Sequence, residues 1–307
     1  MWFKNLQVYR FTKPFDMTPE ELSEALQTKE FQPCGSQDLS RYGWVPPLGH
    51  HGTDFVHAAN GFVMVCAKKQ DKLLPAAVIN EMVGEKIVDI QANEGRAVGR
   101  KERQNLKDDV TFELLPRALV KSSLQFAFIA VQQGLLIVNA SSSKRAEELI
   151  SFLRETIGSV PVIPVVANNI PQHTMTQWLL SGQPPQAFEF GHECELRDPS
   201  DEGGVIRCKH QELTSAEIAS HIKAGMYVSK LGLCWNGGID FMVDDQLAVK
   251  RLGFGEIIQE KANQLDAVDA AAQFDQDFAV MTLELVALIG ALTDVFGGEN
   301  RDQIDTV

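Results

Sequence analysis

Residues 124–166 read LQFAFIAVQQGLLIVNASSSKRAEELISFLRETIGSVPVIPVV. Within them, 124–131 and 135–140 are short apolar β-runs separated by Gln132-Gln133-Gly134, the pattern of a hairpin. Residues 142–157 take up helical spacing, and 160–166 return to strand. Working outward, 2–11 alternate as a strand and Thr18-Pro19-Glu20-Glu21 opens a short helix with Thr18 as its N-cap. Residues 32–52 are so rich in Gly and Pro that they are expected to be mostly loop, and 61–68 form a β-run. Pro75 starts a helix with Ile79, Met82, Val83, Ile87 and Ile90 at helical spacing. Residues 91–100, with Gly95 and Gly99, form a junction, and 101–115 resume helix up to Pro116.

Beyond 185 the strands 189–196, 204–209, 227–235 and 239–243 are expected, the last two joined by Asn236-Gly237-Gly238. Residues 214–224 read as a helix capped by Thr214 with Glu217 three residues on, and a long helix runs from about 266 to 296, ending at Gly297-Gly298. Strands and helices in this mixed order predict an α+β chain rather than a doubly wound sheet.

The chain has 307 residues, room for two domains or one large domain with an arm. At 44% hydrophobic and 22% charged, its composition is that of a globular protein, which excludes wholesale disorder. Its longest apolar runs, such as 160–167 and 285–292, reach about ten residues, short of a membrane span, and no charged-then-apolar leader opens it. Cys34, Cys66, Cys194, Cys208 and Cys234 are odd in number with no C-x-x-C spacing, which fits packed thiols in a reducing compartment. The expectation is a soluble, cytoplasmic protein.

The formal charge of −13 is unevenly spread. From 252 onward eleven acids face only Lys261 and Arg301, a net −9, so residues 1–251 carry only −4 of the −13. Within that part, 96–107 hold Arg96, Arg100, Lys101, Arg103 and Lys107 against Glu102 alone, a local +4. Arg96, Arg100, Arg103 and Lys107 fall on one stripe of a continuous helix, within about 60° of arc and about 16 Å of length. Arg117 and Lys121 follow beyond Pro116. Cations in line can neutralise successive phosphates without reading a base; equally, they can form a solvated helix face. Only Phe112 interleaves, too little for an aromatic stacking platform. Lys144 and Arg145, at a helix start after three serines, read as solvated exterior.

No P-loop, G-x-S-x-G elbow, H-E-x-x-H or dinucleotide fingerprint is present. His192, Cys194, Cys208 and His210 could set four zinc ligands on paired strands, or could be ordinary strand residues; their spacing is not that of a zinc knuckle. His50-His51 reads as solvated, and Asp244-Asp245 as a turn. In the long helix, Phe274, Phe278, Met281, Leu285, Leu288, Leu292 and Val295 step by 4 and 3. Such a seam either packs inside the monomer or supplies a dimer contact, for which Phe278, Leu285 and Leu292 are the candidates.

More specific than any of these periodicities are the ordered motifs MWFKNLQVYR (1–10), PCGSQD (33–38), GWVPP (43–47), LKDDV (106–110), LLPRA (114–118), GGVIRCKHQELT (203–214) and KRL (250–252), with the 277–288 helix. Over essentially its whole length the chain resembles the bacterial RdgC family of recombination-associated proteins. The resemblance implies a non-enzymatic, nucleoid-associated protein without cofactor or metal. It would bind double-stranded DNA without strong sequence preference and restrain RecA-dependent recombination and replication fork repair. It also implies horseshoe-shaped subunits closing as a homodimer into a ring, each divided into a central domain (1–74 and 122–170), a helical tip (75–121) and a base or dimerisation domain (171–307). Arg96, Arg100, Arg103, Lys107 and Arg117 stand where the family carries basic groups facing the hole, with Lys101 and Lys121 completing that set. Lys209, His210 and Gln211 match a second contact strip, His210 replacing a lysine, and Leu119 takes the place of a phenylalanine at a tip-to-tip contact. The competing functions are a regulator that acts mainly by contacting recombinase through its acidic surface, and a metal-dependent nuclease, for which no carboxylate cluster is evident.

Overall fold

In the computed structural model, residues 1–200, 203–262 and 267–302 are described. The first half runs β1 (Asn5–Phe11), α1 (Pro19–Gln27), β2 (Ser40–Val45), β3 (Val56–Ala59), β4 (Phe62–Leu73), α2 (Ala76–Glu94), α3 (Arg100–Leu114), β5 (Leu119–Ala130), β6 (Leu135–Val138), α4 (Ser143–Ile157) and β7 (Val162–Pro164). The second runs α5 (Pro171–Ser181), β8 (Phe188–Arg197), β9 (Val205–Lys209), α6 (Ala216–Lys223), β10 (Tyr227–Trp235), β11 (Ile239–Asp244), β12 (Val249–Phe254), α7 (Glu256–Ala262) and α8 (Ala270–Val295). The fold is α+β, as expected.

All twelve strands join one sheet, ordered β2-β4-β5-β6-β1-β12-β11-β10-β8-β9, with β3 added to β4 and β7 to β1. β1 links the halves: Gln7–Arg10 face β6, while Asn5 and Leu6 face Lys250 and Val249 of β12. Side-chain alternation then sorts the strand residues into two cores. Val63, Val65, Ala127, Ile129 and Leu136 cluster with Leu22 and Leu26 of α1 and Leu149 and Leu153 of α4. Phe62, Met64, Phe128, Leu135 and Ile137 cluster with Phe278, Met281, Leu285 and Leu288 of α8. Both faces being covered, β4, β5 and β6 read as unbroken apolar runs rather than as alternation.

The seam of α8 is therefore an intramolecular one. Phe278, Leu285 and Leu292 are 1%, 0% and 4% exposed, so as direct dimer contacts they are withdrawn: atoms packed in their own core cannot also face a second subunit. The Phe278 ring meets Phe128 edge-on, and the terminal ammonium of Met1 pairs with Asp277 at 2.6 Å. By length and composition alone α8 could cross a membrane, which the shorter apolar runs had not suggested. One face of it, Phe278, Met281, Leu285, Leu288 and Leu292, packs into the chain's own core.

Several elements depart from the sequence reading. β2 lies inside the stretch expected to be loop, held because Trp44 is fully buried and donates Nε1–H to Thr156 Oγ1 at 2.9 Å. α5, β12 and α7 were not anticipated. Ser215, not Thr214, stands at the N-cap of α6, and no side chain caps it; Thr214 instead donates to Glu212 at 3.1 Å. α8 is capped by Asp269, which accepts from Ala272 N–H at 2.8 Å; the expected start at 266 lies outside the described residues.

The helix start at Thr18 is as read. Its hydroxyl accepts from Glu21 N–H at 3.2 Å, and the Glu21 carboxylate accepts from Thr18 N–H at 2.9 Å. Thr18→Ala is expected to cost about 1 kcal/mol, read as a lowered urea midpoint at unchanged m.

Candidate nucleic-acid interface

β4 and β5 pair along all 12 residues of each strand, from Phe62–Ala130 to Leu73–Leu119. Their inner halves are buried, whereas the outer halves continue as a more exposed β4–β5 ribbon, flanked by β2 along β4 as far as Asp71, that carries α2 and α3. These two helices pack through a small cluster of their own, Ile79, Val83 and Val110 with Met82, Ile87, Leu106 and Leu114 around it. Lys86 of α2 pairs with Glu113 of α3 at 2.8 Å, and Lys72 donates Nζ–H to the Leu115 carbonyl at 2.8 Å, fixing the pair to the ribbon.

The helix does not run through Arg96. Gly95 closes α2 with φ 65°, and Gly99 stands at the N-cap of α3. Arg96, in the turn between them, is held by Glu102 through two hydrogen bonds of 2.6 and 2.7 Å and by Glu94 at 2.6 Å. Those bonds lower the Glu102 pKa and leave Arg96 internally neutralised. The four-residue stripe is thus corrected to three: Arg100, Arg103 and Lys107, with Lys101 one step round. All four are exposed, and none joins an ion pair among the described residues. Phe112 is 60% exposed but lies about 150° round the helix from the stripe, so it does not interleave with it. Arg117 follows in a short turn, and Leu119, at the end of β5, is 76% exposed opposite Leu73. Lys121 points to the face it shares with its cross-strand partner Asp71.

The second strip lies at the other end of the strand order, on edge strand β9. Lys209 stands opposite Glu193, which is itself paired with Arg251. His210 is exposed with φ 53°, and Gln211 donates its N–H to the His192 carbonyl at 3.2 Å. Cys194 and Cys208 face each other across β8 and β9. Cys194 is in the core, and burial, then Cys208, pushes its thiol up to about 12. Among the described residues no three His, Cys, Asp or Glu side chains gather in a group that could hold a metal.

A charge cluster beside this strip escaped the sequence. Glu195 is 4% exposed and accepts from Arg207 at 2.9 Å, Lys230 at 2.9 Å, Arg197 at 3.0 Å and Ser229 at 3.0 Å. It ties β8, β9 and β10 together and leaves their outer face with more cations than anions. The alternation Glu193-x-Glu195-x-Arg197 was its one local signal. The pairing with Arg207 and Lys230 depended on strand register.

A family model described as "Putative exonuclease, RdgC" matches residues 1–299. The recombination-associated protein RdgC of Aeromonas hydrophila is 44% identical over 301 residues, covering 98% of this chain and 99% of the relative. That of Tolumonas auensis is 44% identical over 302 residues, covering 98% of this chain and all of the relative. That of Pseudomonas entomophila is 42% identical over 305 residues, covering 99% of each.

Proposed function

The chain belongs to the RdgC family, and we propose on that premise that it is a sequence-independent binder of double-stranded DNA that acts at the nucleoid to restrain RecA-dependent recombination and fork repair. The observation that carries this reading is the exposed, unpaired set Arg100, Arg103 and Lys107 on one face of α3, in a chain whose net charge is −13. Cations left without carboxylate partners on an acidic protein suit a polyanion. The proposed assembly is a ring-shaped homodimer of horseshoe subunits, with 75–121 as tip, 1–74 and 122–170 as central domain and 171–307 as base. Exposed Leu119 is suited to the tip contact, and Lys209, His210 and Gln211 to a second strip in the hole. Two subunits would present six stripe cations to one duplex. The net −9 beyond 252 would keep DNA from the rest of the base by like-charge repulsion.

The test is the salt dependence of binding to unrelated duplexes. Each phosphate contact contributes about 0.9 to the slope of log K against log salt. Arg100→Ala with Arg103→Ala removes four charges per dimer and should flatten that slope by up to about 3.6 without loss of fold. Arg96→Ala serves as the internal control, since Glu94 and Glu102 already neutralise Arg96. Equal losses in both variants would show that general charge, not the α3 face, governs binding. Added Mg²⁺ should leave the duplex intact; cleavage would favour the nuclease reading that the family description names. A regulator acting mainly through recombinase contact would instead keep its effect in the Arg100/Arg103 variant.

A further inference from the structure

Lys144 and Arg145 are exposed, as the sequence suggests, but they do not stand alone. They line a cleft of about 520 Å³ between the first turn of α4 and the outer half of the β4–β5 ribbon. Lys69 and Lys121 complete its four cations, against Asp71 and Glu148. Lys69 takes Glu148 at 2.5 Å, so Lys121, Lys144 and Arg145 remain without an ion pair among the described residues.

The cleft is built rather than incidental. Gln125 on its floor is 5% exposed, donates Nε2–H to the Arg145 carbonyl at 2.6 Å and accepts from the Tyr42 hydroxyl at 3.1 Å. These bonds pin the start of α4 to the ribbon, so the cations converge before any ligand arrives. Against Asp71 these three cations leave the concave site net positive, and an anion entering between them lowers their mutual repulsion. From Lys121, up to about 13 Å of chain, the start of β5 and the turn before it, leads back to Arg117 at the foot of α3. A nucleic-acid backbone passing several phosphates can span such a length, which exceeds what a single phosphate needs.

We propose that this cleft is a second phosphodiester site, gripping the backbone of the same DNA away from the α3 face. The proposal rests on the DNA-binding reading above and adds to it a site on the α4 side of the ribbon. The chemistry recognised is the phosphate group, which a nucleic-acid backbone or a free nucleotide could supply.

The experiment uses full-length protein carrying Lys144→Ala with Arg145→Ala. Both side chains are exposed, so the fold should persist, as circular dichroism and the urea midpoint would show. The salt slope on duplex DNA should flatten by about 0.9 per lost contact, additively with Arg100→Ala and Arg103→Ala. Millimolar ATP or inorganic phosphate should barely compete with duplex for the wild type. An unchanged slope in the α4 variant, with a flattened one in the α3 variant, would overturn the cleft and leave the DNA-binding reading standing. If ATP or phosphate alone raised the melting temperature of the wild type, not of the α4 variant, with equal duplex slopes, the cleft would be a small-anion site and the proposal wrong. Absence of duplex binding by the wild type would overturn both together.

Discussion

Leu285→Asp is expected to yield unfolded protein, not a folded monomer. Leu285 is fully buried where α8 crosses the inner face of β4, β5 and β6, in one cluster with Phe128, Ile137, Phe278 and Met281. A carboxylate there would stand in an apolar cluster and must either be desolvated or force the helix off the sheet. Either route exceeds the 4–5 kcal/mol that marks the far tail of point substitutions, and a whole domain has only about 5–15 kcal/mol to lose. Leu285→Ala, which leaves only a cavity, should cost about 2–5 kcal/mol and keep the fold. Circular dichroism with size exclusion separates the cases. A Leu285→Asp chain with native ellipticity that elutes as a monomer would return α8 to the subunit contact.

The second large effect is one of pH. Burial by itself would raise the Glu195 pKa, but hydrogen bonds from Arg207, Lys230, Arg197 and Ser229 outweigh it and hold the carboxyl at about 2. A pKa lower in the folded than in the unfolded state stabilises the fold wherever the unfolded carboxyl is ionised. The contribution is therefore fully present above about pH 4.5 and is lost as pH falls from there towards 2. A difference of that size is worth about 3 kcal/mol at neutral pH. Glu195→Gln should lower the neutral-pH urea stability by roughly that amount and flatten the acid limb of stability between pH 4.5 and 2. A variant with an unchanged acid limb would place the source of acid sensitivity elsewhere. Losing Glu195 would also free Arg207 beside the β9 strip, so the DNA binding proposed above should strengthen slightly while stability falls.

Much of the fold was legible because its signals are local. The 124–140 hairpin turns at Gly134, where φ is 63°, and the 227–243 hairpin turns at Gly237, where φ is 62°. The Thr18 capping box needs only residues 18–21, and Pro75 and Pro116 bracket the α2–α3 pair within a few residues. The α+β class and the presence of a basic segment in an acidic chain followed from such features alone, as did the family motifs.

What remained closed to the sequence was every question of partner. A 4,3 seam has the same spacing whether it meets a sheet or a second helix, and only the packing of Phe278 on Phe128 assigns it to the chain's own core. Arg96 kept the period of the stripe, yet two glycines let the backbone turn and deliver it to Glu94 and Glu102. β2 escaped notice in Gly- and Pro-rich sequence because its stability comes from pairing with β4 and from the buried Trp44. Lys144 and Arg145 are exposed cations, as the sequence suggests, but that Lys69 and Lys121 stand beside them across more than twenty residues of chain is not written there. Local backbone preference and side-chain period are set by a few neighbouring residues and so are written in the sequence. Burial, charge pairing and the gathering of cations into one cleft depend on which distant strands share a register, and only the tertiary structure decides that.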